Sequence, residues 1–177
     1  MKKQLLLFTA TVLLVIACQR KEKQNLQTSG EPQQKEIEKA IVEEQYLQND
    51  SLLNILDSDI QKLMGHPKFT IKKELVNNRH VDDLIDTIRV FKFGNTTMQS
   101  YKSTTEEWIF EAKILNPEFE LSNSIKIGIR KEAFEKALNV KVHSDRLRIT
   151  DAEELNAFIF SFKNDTLTEI EYEGYLD

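Results

Sequence analysis

The sequence predicts an α+β domain, with antiparallel hairpins forming a sheet and short helices packed on one face of it. Three observations carry that prediction. Phe158, Phe160 and Phe162 alternate with Ile159, Ser161 and Lys163, which is the two-residue period of a strand. The stretch "IRKEAFEKALN" sets Ile129, Ala133, Phe134, Ala137 and Leu138 along one side of a helix and Lys131, Glu132, Glu135 and Lys136 along the other. Finally, the chain repeats itself. Residues 91–98, "FKFGNTTM", match residues 160–167, "FSFKNDTL", as F-x-F-x-N-x-T-[M/L]. The match predicts two tandem helix-plus-hairpin units, at about 51–117 and 125–177, inside a single domain over 36–177.

The N-terminal elements address compartment rather than fold. Lys2 and Lys3 precede an uncharged run from Gln4 to Ala17, too short for the roughly 20 apolar residues of a membrane-spanning helix and laid out like a secretory signal. Val15-Ile16-Ala17-Cys18 resembles the lipobox of bacterial lipoproteins. That resemblance implies cleavage after Ala17, a diacylglycerol thioether on Cys18, and an acylated mature N-terminus such as palmitate would supply. Cys18 is the only cysteine, so an intramolecular disulfide is excluded and an exported body must be held by its core. Gln19, not Asp, follows the cysteine. By the lipoprotein sorting rule of some bacteria this favours the outer membrane, on its periplasmic or its surface side. Residues 18–35 are polar, contain Gly30 and Pro32, and read as a flexible tether.

Charge narrows the partners. The formal net charge is −5, and loss of Lys2 and Lys3 with the signal segment takes the remainder to −7. Without a Lys/Arg cluster in the sequence there is no electrostatic footprint for nucleic acid, and membrane association is assigned to the acyl chains rather than to the protein surface.

Within the body, a polar helix is expected over about Lys35 to Leu47, burying Ile37, Ile41, Val42 and Tyr46. A second helix, capped by Asp57 or Ser58, is expected to close at Gly65 before Pro67. A hairpin follows, Val90 to Phe93 and Met98 to Tyr101 about Gly94-Asn95. A third strand then places Trp108, Phe110, Ala112 and Ile114 on one face and stops at Asn116-Pro117. In the second unit, Asn164-Asp165 supplies the turn. An odd-numbered connection sets Phe160 across from Ile170 and Phe158 across from Tyr172, so a three- or five-residue loop is expected.

"IKIGIRKE" (Ile125 to Glu132), opening a helix before the hairpin from Phe160 to Ile170, resembles the unit of the small lipoprotein of the outer-membrane β-barrel assembly machine and of β-lactamase inhibitor protein. The inhibitor carries two such units in tandem. Asn139 stands where that family has a glycine. The resemblance implies an α+β fold in the cell envelope and names no partner for this chain.

Catalytic patterns are few. His66, His80 and His143 form no metal-ligand spacing, and no nucleophile elbow, phosphate loop or dinucleotide turn is present. His80 beside Asp82 and Asp83, and His143 beside Asp145, are the two places where a base and an orienting acid lie close in sequence. Asp57 and Asp59 read as helix capping, the Glu169, Glu171, Glu173 stripe as the wet side of a sheet, and Trp108 as core. The expectation is therefore a non-enzymatic, lipid-anchored envelope protein without cofactor or metal, tethered to the membrane through Cys18, that binds or helps assemble an unidentified protein. The alternatives are an inhibitor of a secreted hydrolase, using the connection from Pro67 to Asp86 or from Val142 to Glu153, and an enzyme using His80 or His143.

Overall fold

In the computed structural model, which describes residues 43–176, one row of cross-strand neighbours organises the body. It runs Leu47, Ile149, Phe158, Tyr172, Ala112, Met98, Phe91, Ile71, with one residue from each of eight strands. The strands are β1 (Glu44–Gln48), β2 (Thr70–Asn77), β3 (Ile85–Phe93), β4 (Thr96–Lys102), β5 (Glu107–Ile114), β6 (Arg146–Thr150), β7 (Ala157–Lys163) and β8 (Thr166–Glu173). They form a single sheet in the order β1-β6-β7-β8-β5-β4-β3-β2. All pairings are antiparallel except β1 with β6, so the sheet is mixed.

The expected α+β class is thus corrected to a mainly-β one. Three strands beyond the expected hairpins, β1, β2 and β6, join them into one continuous sheet, and among the described residues two α-helices accompany it, α1 (Asp50–Lys62) and α2 (Lys131–Leu138). The two hairpin regions meet where β5 pairs with β8.

The expected polar helix is corrected where it can be followed. Glu44–Gln48 is a strand on β6, and residues 35–42, like the expected signal segment, Cys18 and the expected tether, lie outside the described residues. Helix α1 also begins earlier than expected. Asn49 caps it, its side chain accepting the Leu52 amide at 3.0 Å, so Asp57 and Asp59 fall mid-helix. Leu53, Leu56 and Ile60 at three- and four-residue spacing bury one side. A 3-10 turn, Leu63–Gly65, then ends the helical run. Helix α2 buries Phe134 and Leu138 and closes on Asn139 in the left-handed conformation (φ 53°), an arrangement that glycine or asparagine tolerates. Phe134 packs against Phe160 and Phe162, at centroid distances of 4.8 and 5.1 Å.

Both hairpins turn on two residues. Asn164 and Asp165 both have positive φ, the I′ pattern, whereas Gly94 alone does in the first hairpin. The expected partners Phe160 with Ile170 and Phe158 with Tyr172 are present, but the expected three- or five-residue loop is not. A register shift between Ser161 and Phe162 supplies the extra residue instead. A second bulge between Gln99 and Ser100 corrects the reading of β5. Ile109 enters the core with Ala112 and Ile114, while Trp108 stays half-buried beside Tyr101 at 5.1 Å. The strand ends where buried Thr96 accepts the amides of Leu115 and Asn116.

Candidate functional site

Of the concave regions among the described residues, two lie against the sheet. The first is a cleft of about 270 Å3 at α1, lined by Asp50, Asp57, Asp151, Trp108, Tyr172 and Tyr175 among others. Its central groups are occupied with holding the fold. The Tyr172 hydroxyl donates to Asp57 at 2.8 Å, and Gln61 both accepts the Ile109 amide at 2.8 Å and reaches Asp57 at 3.3 Å. Together they fasten helix α1 to β5 and β8. Burial, followed by the neighbouring Asp57 carboxylate, pushes the Tyr172 phenol far above its usual range. This tyrosine is a fixed donor, not a base.

Asp59 does cap a turn, though not that of its own helix. It is 7% exposed and accepts the Ser122 amide at 2.7 Å and Lys62 Nζ at 3.0 Å. Burial alone would raise its carboxyl; the bonds from Ser122 and Lys62 outweigh it and hold the pKa below the ordinary aspartate value.

The glutamate stripe of β8 is neutralised from within. Arg146 reaches Glu44 at 2.6 Å and Glu171 at 2.9 Å, Arg148 reaches Glu173 at 2.8 Å, and Lys113 reaches Glu169 at 2.9 Å. These ion pairs belt β1, β6, β8 and β5 on the side of Ile159, leaving little free negative charge there for a basic partner.

The histidines stay apart. His66 packs edge-on against Phe119 at 5.0 Å. His80 lies in the β2–β3 connection, where its amide donates to Asn78 Oδ1, and His143 donates its amide to Gln45 Oε1. Both are exposed, and neither lines the two concave regions. Among the described residues no cluster of three or more His, Cys, Asp or Glu is placed to hold a metal ion, and no helix is long and apolar enough to cross a membrane.

The second region lies along β2, the last strand of the sheet among the described residues. Asn78 N donates to Leu84 O at 2.8 Å, directly across the hairpin. Because antiparallel ladders alternate, Thr70, Lys72, Glu74 and Val76 turn their backbone groups to β3, and Ile71, Lys73, Leu75 and Asn77 turn theirs outward. Ile71 is 39% exposed and Leu75 75% exposed. Between them lies Lys73, opposite Arg89, and these two line a concavity of about 250 Å3 with Thr87 and Lys102. Glu107 answers part of this positive charge, taking Arg89 at 2.8 Å and Lys102 at 3.5 Å. Burial would raise Glu107, but Ser100, Arg89 and Lys102 together hold its pKa below the ordinary value. Arg89 Nε is buried without a hydrogen-bond partner. The sequence reading missed this site because the cations stand at positions 73, 89 and 102, and only strand register gathers them. The one signal available was the charge run of β2 between two apolar residues.

No family model, no curated protein and no solved structure matches this chain.

Proposed function

We propose that this chain is a non-enzymatic, lipid-anchored protein of the cell envelope that holds its folded body near a membrane and docks a partner protein on the open edge of β2. One observation carries the docking. Among the described residues the apolar row that crosses all eight strands ends at Ile71, one of four residues of β2 whose backbone groups face outward. The anchor rests on the lipobox resemblance and Cys18, with the outer membrane favoured by Gln19. The body's ion-paired stripe and its helix-fastening tyrosine support binding over catalysis, since their polar groups are already spent on structure.

The test is a photo-crosslinking residue at Leu75 in the full-length protein, in its own envelope, compared with the same residue at Glu132 on α2. An adduct of one defined mass at position 75 and none at 132 is expected. Equal or absent crosslinking at both positions overturns the edge as a docking surface.

A second reading, inhibition of a secreted hydrolase, is favoured by the β2–β3 connection. Asn78 Oδ1 accepts the amides of both His80 and Val81 at 2.8 Å, stiffening a tip that presents Val81 at 53% exposure. Under this reading Val81→Asp abolishes binding and Leu75→Lys does not; under the edge reading the order is reversed.

A further inference from the structure

We infer that the partner segment of the β2 edge is an extended strand with an acidic residue flanked, two positions away on either side, by apolar ones. The inference rests on the edge reading above and adds the chemistry of the occupant. A ninth strand laid on β2 takes hydrogen bonds from Ile71, Lys73, Leu75 and Asn77, the residues whose backbone groups face outward. Its side chains then continue the rows already in the sheet. Opposite Ile71 the row behind is Phe91 and Met98, so an apolar residue extends it. Opposite Lys73 the row behind is Arg89, with Lys102 joining from β4, and of these three cations Arg89 and Lys102 share one carboxylate, Glu107. An incoming carboxylate there meets excess positive charge. Opposite Leu75 an apolar residue again covers exposed surface. The pattern reads the same in both chain directions, so it holds for parallel and antiparallel docking.

The same charges select against other occupants. Lysines on an edge strand discourage indiscriminate pairing, and a second copy of β2 would bring another Lys73, Arg89 and Lys102 against the first set. An acidic strand relieves that charge; a basic or self-derived one adds to it.

The test uses the full-length protein in detergent micelles and three labelled heptapeptides, Thr-Val-Thr-Glu-Thr-Val-Thr and its Gln- and Lys-centred versions, followed by fluorescence anisotropy. The Glu-centred peptide is expected to bind about tenfold more tightly than the Gln-centred one, with the Lys-centred peptide weakest. Changing the exposed cations together, Lys73→Glu with Lys102→Glu, is expected to remove that preference, and Leu75→Lys to weaken all three peptides. Equal binding of the Glu and Gln peptides, still lost in Leu75→Lys, overturns the acidic partner while leaving the edge as a docking surface. Absence of binding by any peptide, alongside a defined crosslink at Leu75 in envelopes, overturns the pattern alone. Absence of both overturns pattern and edge together.

Discussion

Replacing Asp59 by Asn tests how helix α1 is joined to the segment around Leu121–Ile125. Asp59 is almost fully buried and accepts two bonds, one from the Ser122 amide at 2.7 Å across 63 positions of sequence and one from Lys62. Asparagine keeps the volume and can still accept from Ser122, but it loses the charge assistance and leaves an amide donor to place. Hydrogen bonds to charged groups contribute about 1.5–3 kcal/mol and neutral ones about 1 kcal/mol, so the expected loss is about 1–2 kcal/mol near neutral pH. For a body of this size that lowers Tm by about 3–8 °C. The sign of the pH dependence follows from the carboxyl lying below its ordinary value when folded. The stabilisation is fully present above the unfolded value of about 3.9 and is lost as pH falls through the folded value. Urea unfolding of wild type and Asp59→Asn, read by circular dichroism, should therefore show a constant gap from pH 7 to about 5 that closes at lower pH. A gap below about 0.5 kcal/mol at pH 7, or one that persists unchanged in acid, refutes the reasoning.

Two further substitutions probe the body. Phe158→Ala empties a fully buried site between Ile149 and Tyr172 and should cost about 3–5 kcal/mol in denaturant unfolding; a loss under 1 kcal/mol would show that the row is not the core. Arg146→Met removes the bonds to Glu44 and Glu171 on a partly exposed face, where solvent screens the charges. About 1 kcal/mol is expected, shrinking in 1 M salt, and a salt-independent loss would contradict the ion-pair account.

The parts of the fold legible in the sequence were those fixed by short-range period. Alternation along Phe158, Phe160 and Phe162 announced β7, and the face it implied found Ile170 and Tyr172 across from it. The turn length was not legible, because a two-residue turn with a bulge and an odd-numbered loop give the same partners. Strand β1 was hidden for a different reason. The residues Glu44–Gln48 carry little apolar pattern of their own, and their strand state comes from the parallel ladder with β6, about a hundred positions away. Asp57 and Asp59 looked like caps, and Asp59 is one, but for a turn that only tertiary structure brings beneath it. The β2 edge was least legible. Ile71 and Leu75 are four apart, a spacing that fits helix as well as strand, and nothing local ties Lys73 to Arg89 and Lys102.

In the proposed reading, acylation of Cys18 places the body, and that placement decides which partner strands it can meet. Intact-mass measurement of the protein isolated from its own envelope tests it most directly. A chain beginning at Cys18 and carrying the added mass of a diacylglyceryl group, with or without a further acyl chain, is the expected result. A chain that retains residues 1–17, or that begins elsewhere with an unmodified cysteine, contradicts the account.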